Sequence, residues 1–232
     1  PNVFFEKTKA IKKSESSFHN SWEKISSQRI NPHKKFLKNA AFSDLIVFSI
    51  VSSSIPSAYQ VQVANSSPVR YLQLFKIPHS NNMSCNRGTS GIDGSTSTAV
   101  GASVVSSSPT LLITGDLSFF YDINGLWNNY IKSSFRIIII NNGGGGIFRI
   151  LPGHKENAIF SKFIETNHSF TAEQLAKLYG FSYQNKGSKL SIKRELKLFF
   201  KQSLKPKILE ISTSSEISSK TLKNYFEYLS KN

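Results

Sequence analysis

Apolar positions in this chain switch between helical spacing and short continuous runs. Phe18, Trp22 and Ile25 recur at helical spacing, and a second helix covers Asp44–Ser52. Tyr59–Ala64 then reads as a strand. Asn65-Ser66-Ser67-Pro68 follows, with Pro68 suited to the first turn of a helix running to Phe75. Asn82–Asn86 is predicted as a short strand, and a small-residue helix runs from Gly94 to about Ser107. Leu111–Thr114 is a buried strand and Leu117–Ile131 an aromatic-rich helix. Phe135–Ile140 is a continuous apolar run, as expected of a strand covered on both faces. Thr171-Ala172-Glu173-Gln174 fits a capping box for a helix ending at Gly180. The strand Phe181–Gln184, a helix near Ser188–Gln202, the strand Lys207–Ile211 and a final helix near Ser214–Leu229 complete the order.

Strands alternating with helices predict one doubly wound α/β domain over residues 16–232, its sheet mostly parallel with helices on both faces. Residues 1–15 are polar and Lys-rich without hydrophobic period, and read as a linker or the tail of a preceding domain. In such sheets ligands bind outside the carboxyl ends of the strands, near a topological switch point. Informative residues are therefore expected just after strands.

Composition narrows the function classes. The 232 residues are enough for a proper core. The chain starts at Pro1 rather than Met, as expected of a processed chain or a piece of a longer one. Its most apolar stretches, Asp44–Val51 and Phe135–Ile140, are too short to cross a bilayer. Glu6, Lys7, Lys9, Lys12 and Lys13 interrupt any secretory hydrophobic region. A single cysteine, Cys85, excludes an internal disulfide and a multi-cysteine metal site, and reads as a small buried hydrophobe rather than a nucleophile. A cytoplasmic enzyme fits these features. The net charge of +15 would suit nucleic acid or an anionic membrane. The lysines are scattered, however, arginine is scarce, and no nucleic-acid motif accompanies them. A solvated basic face that steers anionic substrates is the expectation. None of His19, His33, His79, His154 and His168 falls in a triad-like or metal-ligand pattern.

Two segments carry candidate chemistry. Thr114-Gly115-Asp116-Leu117-Ser118 follows one predicted strand, and Asn141-Asn142-Gly143-Gly144-Gly145-Gly146 follows a later one, with Asn142 26 positions after Asp116. A helix of about 11–12 residues and a strand of about 5–6, with two connections of about 4 each, fill that gap. Magnesium takes oxygen ligands in a tight octahedron and combines a few protein oxygens with phosphate oxygens and water. Asp116 offers a carboxylate, Asn142 an amide oxygen, and the glycine run a backbone carbonyl. Glycines also let the backbone approach a diphosphate closely, and a helix starting at Leu117 would direct unpaired N–H groups toward the anion. Each half alone has an ordinary reading, the Asp as a helix N-cap and the Asn-Gly as a turn. Four consecutive glycines after a buried strand are harder to explain structurally, since each costs about 0.5–1 kcal/mol relative to Ala.

Gly-Asp-Leu-Ser, helix, strand, Asn-Asn-Gly at this spacing resembles the thiamine-diphosphate motif of the pyruvate-decarboxylase- and transketolase-like enzymes. Three flanking segments narrow the match: Asn65-Ser66-Ser67-Pro68-Val69-Arg70, Asn86-Arg87-Gly88-Thr89-Ser90-Gly91-Ile92-Asp93-Gly94 and Gly146-Ile147-Phe148-Arg149-Ile150-Leu151-Pro152. In that order they resemble the carboxy-terminal domain of the 2-succinyl-5-enolpyruvyl-6-hydroxy-3-cyclohexene-1-carboxylate synthases of menaquinone biosynthesis, over residues 60–184 and elsewhere by element order. The resemblance implies a thiamine-diphosphate-binding fold and a transferase that removes CO2 from 2-oxoglutarate and adds the four-carbon product to isochorismate. It implies Mg2+ (or Mn2+) held by Asp116, Asn142 and the carbonyl of Gly144, with Gly115, Leu117 and Ser118 beside the cofactor. Ile92 matches the apolar residue that props the cofactor into its bent shape. Ser66, Arg70 and Arg87 match positions that contact substrate or the cofactor-bound intermediate. Ile147, Phe148 and Leu151 match the apolar wall of the isochorismate pocket. Both substrates are dicarboxylates, which guanidinium forks hold bidentately where a lysine acts as a point charge. Without the resemblance Arg70 reads as solvated, Arg87 as a brace in a Gly-rich loop, and the apolar residues as core.

The family's activating glutamate belongs to a first domain, in a site formed with a neighbouring subunit. These 232 residues contain nothing that looks like that domain, so no catalytic residue is expected within this chain. Gly143 stands where some members carry a third asparagine. The expectation is part of a homo-oligomeric synthase, inactive alone. Two rivals are weighed against it. Another thiamine-diphosphate-dependent 2-oxoacid decarboxylase or lyase would need fewer cations than Arg70 and Arg87 supply. A basic nucleic-acid-binding module with a P-loop would need the Lys-Ser/Thr that the glycine run lacks.

Overall fold

The computed structural model describes residues 17–77, 82–153 and 157–232; the predicted tail at 1–15 lies outside them, as do His79 and His154. Among the described residues six strands form one all-parallel sheet: β1 Gln60–Val63, β2 Met83–Cys85, β3 Thr110–Gly115, β4 Arg136–Asn141, β5 Ser182–Lys186 and β6 Lys207–Ser212, in the order β2-β1-β3-β4-β6-β5. The helices are α1 Phe18–Asn39, α2 Asp44–Ser52, α3 Ser67–Leu72, α4 Ser95–Val105, α5 Asp116–Tyr121, α6 Glu173–Leu178, α7 Lys189–Phe199 and α8 Ser215–Lys231. The doubly wound expectation holds, with every strand pair parallel.

Successive side chains of a strand point to opposite faces, so the isoleucine run of β4 feeds both sides. Ile138 and Ile140 join Leu209, Ile211 and the apolar faces of α2, α3, α7 and α8. Ile137 and Ile139 join Leu112, Ile208 and residues of α4, α5 and α6. Each such side chain, fully buried, contributes roughly 1.5–3 kcal/mol. Among the described residues no helix is long and apolar enough to cross a membrane.

The chain leaves β1 for β2 at the sheet edge and returns across it to β3, which creates a switch point between β1 and β3. Register pairs Val63 with Ile113, Gly115 with Ile140 and Asn141 with Ser212. Asn65, Asp116, Asn142 and Thr213 consequently emerge along one carboxyl edge.

Two local expectations are corrected. The aromatic-rich helix ends at Tyr121 rather than Ile131, followed by a 3-10 turn over Ile123–Leu126. Asp122 leaves helical geometry because its carboxylate accepts from the Ser97 N–H at 2.7 Å and the Ser97 Oγ at 2.6 Å. Gly125 presses on Ser97 so closely that a Cβ there would lie 2.9 Å from the Ser97 backbone. The capping box at Thr171–Gln174 does not form: Ala172 is the N-cap of α6, and its N–H donates to Glu210 Oε2 at 2.9 Å. In both places a bond between a buried carboxylate and a partner distant in sequence outcompetes local propensity.

Candidate functional site

The loops that follow β1, β3 and β4 enclose one cavity. Ser66, Ile92, Gly115, Asp116, Leu117 and Ser118 line it from the first two loops and the turn into α4, and Asn142, Gly144, Ile147 and Phe148 line it from the third. Residues that the sequence singled out separately thus meet at one switch point.

Asp116 opens α5 and is 3% exposed. Its Oδ2 accepts from the N–H groups of Gly143 and Gly144, each at 2.9 Å, and its Oδ1 accepts from Leu117 N–H at 2.8 Å. A carboxylate has about four lone-pair sites, which leaves one on Oδ1. The carboxylate therefore already organises the glycine run. His168 approaches Oδ2 with its Nε2 at 3.3 Å. Its Nδ1 accepts from the Phe170 N–H at 3.1 Å, so in the neutral ring Nε2 carries the proton and faces the carboxylate.

Asn142 follows β4, and its Nδ2 donates to Asp44 Oδ2 at 2.9 Å. Its Oδ1 is buried and has no hydrogen-bond partner. Buried polar atoms in native proteins are nearly always paired, and an exception asks for an unseen ligand. Asp44, at the start of α2, is 2% exposed and also lines the cavity. Burial pushes its carboxyl up from the ordinary aspartate value, against hydrogen bonds from Thr213, Asn142 and Ser218 that pull it down.

The glycine run is required by geometry at two positions. Gly143 and Gly144 have φ of +81° and +150°, and a Cβ on Gly144 would sit 2.6 Å from the Glu165 carbonyl oxygen. Glu165 is wholly buried and ion-paired with Arg149, the two side chains meeting through Nε–Oε1 and, at 2.8 Å, Nη2–Oε2. Its carbonyl accepts from Gly145 N–H at 2.6 Å. The Gly144 carbonyl accepts from Gly146 N–H at 3.0 Å and retains a second lone pair.

These observations test the donor set for a metal. Among the described residues no three His, Cys, Asp or Glu side chains gather as a metal cluster. What the cavity offers is oxygen: the unpartnered Asn142 Oδ1, one lone pair on Asp116 Oδ1 and one on the Gly144 carbonyl. Such a set suits a hard divalent cation that takes its remaining ligands from phosphate and water.

The two arginines stand apart from this cavity. Arg87 Nη1 donates to Asn65 Oδ1 at 3.1 Å. Arg70 Nη1 donates to the Ser66 carbonyl at 2.8 Å, beside the strained φ of +70° at Ser66. Arg70 and Leu151 line an adjoining apolar groove, which shares Ile147 with the main cavity. Asn65 ties the region together: its Nδ2 donates to the carbonyls of Asn86 and Gly91, and its Oδ1 also accepts from Cys85 Sγ at 3.4 Å.

Sequence reasoning missed Asp44, His168, Asn65 and Glu165. Asn65 lay inside a quoted motif without an assigned role. Asp44 carried one signal, a charge opening an otherwise apolar helix. His168 and Glu165 carried none, since no spacing relates them to Asp116 or the glycines.

No family model matches the chain. Among curated proteins, the 2-succinyl-5-enolpyruvyl-6-hydroxy-3-cyclohexene-1-carboxylate synthase of Flavobacterium psychrophilum is 46% identical over 99% of this chain and 42% of its own length. The same synthase of Flavobacterium johnsoniae is 48% identical over the same shares, and that of Christiangramia forsetii 49% identical over 88% of this chain and 36% of its own length. The chain thus spans about two fifths of the length of the curated relatives it matches. Among solved structures, an enzyme of Mycobacterium smegmatis described as thiamin diphosphate-dependent superposes with a TM-score of 0.56, at 18% identity, over 75% of this chain and 32% of that one. That likeness concerns the fold.

Proposed function

We propose that this chain, homologous over 99% of its length to part of the 2-succinyl-5-enolpyruvyl-6-hydroxy-3-cyclohexene-1-carboxylate synthases, is their carboxy-terminal domain and holds the diphosphate and metal end of thiamine diphosphate. In the whole enzyme the reaction is decarboxylation of 2-oxoglutarate and addition of the product to isochorismate, in the cytoplasm. The observation that carries the metal reading is the orphaned Asn142 Oδ1, buried in the same cavity as Asp116 and Gly144.

Asp116, Asn142 and the Gly144 carbonyl hold Mg2+ or Mn2+. Gly115, Leu117 and Ser118 flank the diphosphate, and the φ of +81° at Gly143 lets the backbone turn close to it. When bound, thiamine diphosphate would supply the electron-withdrawing group that 2-oxoacid decarboxylation needs. Ile92 would support the cofactor from the cavity wall, its carbonyl fixed by the Ser118 hydroxyl. Arg70 and Arg87 bind substrate carboxylates bidentately, Arg87 also beside the cofactor, and Ser66 lies at the same mouth. Ile147, Phe148 and Leu151 form the apolar wall that excludes water around isochorismate. The activating glutamate comes from the first domain of a neighbouring subunit, so the assembled enzyme is a homo-oligomer.

Calorimetric titration of thiamine diphosphate into the purified chain tests the reading. Binding is expected with Mg2+, absent with EDTA, and absent in Asp116→Ala. Equal affinity in that variant overturns the metal assignment. Turnover of 2-oxoglutarate by the isolated chain is expected to be negligible. The full-length enzyme should prefer 2-oxoglutarate to pyruvate; the reverse preference would point to a different thiamine-dependent decarboxylase.

A further inference from the structure

We infer that Asp44, which lies outside the Asp116 and Asn142 segments, is a positioning residue that decides which end of the Asn142 amide faces the metal position. The inference rests on the metal reading above. An amide presents an oxygen acceptor at one end and an N–H2 donor at the other, and rotation by 180° exchanges them at almost no covalent cost. Only the oxygen can ligate a cation. With the amine turned inward, the cavity would lose a ligand and gain two repelling N–H groups.

The network around Asp44 resists that rotation. Asp44 Oδ2 takes the Asn142 Nδ2 at 2.9 Å, acting as the acceptor of that bond. A flipped Asn142 would set oxygen against oxygen in a buried place. Asp44 cannot turn away, because its Oδ1 accepts from Thr213 Oγ1 at 2.6 Å and its backbone N–H donates to Ser218 Oγ at 3.0 Å. Thr213 is in turn anchored by its N–H to the Asn141 carbonyl at 2.9 Å. Asp44 therefore links α2, the end of β6 and α8 to the residue that follows β4. Its burial, at 2% exposure, is not needed by the helix: a carboxylate pointed at solvent would suit the first turn of α2 equally well.

Outer partners of metal ligands typically change metal affinity by about 10–100-fold when removed. The test is Mn2+ binding followed by electron paramagnetic resonance, with thiamine diphosphate present, on the unaltered chain and three variants. Asp44→Leu keeps the branching at Cγ but removes the acceptor, and is expected to weaken Mn2+ by about 10–100-fold. Asp44→Asn retains an acceptor for Asn142 Nδ2 and offers its own N–H2 to Thr213, whose hydroxyl can rotate to accept; most of the affinity should return. Thr213→Val loosens Asp44 and should give a smaller loss than Asp44→Leu. Circular dichroism monitors folding, and where Asp44→Leu fails to fold the other two variants decide. Unaltered affinity in Asp44→Leu, with Asp116→Ala inactive in binding, overturns the role of Asp44 alone. Equal losses in Asp44→Asn and Asp44→Leu overturn orientation in favour of charge. No metal-dependent binding by the unaltered chain overturns the metal reading and this inference with it.

Discussion

The two ends of β4 treat buried polarity in opposite ways. At its start Arg136 is 1% exposed, yet its guanidinium is fully engaged. Nε donates to the Phe199 carbonyl, Nη1 to those of Ser133 and Phe135, and Nη2 to the Lys201 carbonyl and Ser203 Oγ. That accounts for all five N–H donors of an arginine. At the far end Asn141 is similarly closed: its Nδ2 serves Phe170 O and Glu210 Oε1, and its Oδ1 takes Gly143 N–H. One residue later Asn142 leaves Oδ1 unpaired. Burial alone therefore does not mark a functional group. A buried group whose every polar atom has a partner braces the fold, while one held by a single end with the other atom unpartnered awaits a ligand.

The largest effect expected on that view is at Arg136. Arg136→Met removes all five bonds; the Phe135 and Lys201 carbonyls keep Lys207 as a donor, but those of Ser133 and Phe199 are stranded, each worth about 1–3 kcal/mol when buried without a partner. Urea unfolding should show a loss of roughly 3 kcal/mol or more. A loss well under that would mean water reaches the start of β4 and would break the contrast. Glu210 should come next. Its carboxylate accepts from Asn141 Nδ2, Ala172 N–H and Tyr183 Oη, and burial together with that last bond pushes the Tyr183 hydroxyl up from its ordinary value. Glu210→Ala should cost about 2–3 kcal/mol, as three donors lose their acceptor.

Much of this was legible in the sequence, though unevenly. Hydrophobic period placed the strands within a residue or two, because an isoleucine run such as Ile137–Ile140 can be buried on both faces only inside a parallel sheet. The meeting of Asp116, Asn142 and the glycines was legible for the same reason: each directly follows a strand. What stayed hidden involves partners distant along the chain. Asn142 and Asp44 are 98 positions apart, and Arg136 reaches carbonyls 63 and 65 positions away. Neither leaves a periodic trace. The misjudged helix beyond Tyr121 has the same origin, since Asp122 bonds Ser97 across the fold.

The smallest stability effect should come at Asn142, and it tests the contrast most directly because Asn141 beside it is a built-in control. Asn142→Ala removes one hydrogen bond, to Asp44, but also deletes an oxygen that had none. The net cost should be about 1 kcal/mol or less in urea unfolding. Asn141→Ala breaks three bonds and frees one arm of Glu210, so its cost should reach about 2 kcal/mol. Metal-dependent binding of thiamine diphosphate should nevertheless be lost in Asn142→Ala, because the deleted oxygen is the donor without another partner. If instead Asn142→Ala proves the more destabilising of the pair, its oxygen must be satisfied within the protein. The orphaned valence would then lose its meaning as the mark of a ligand.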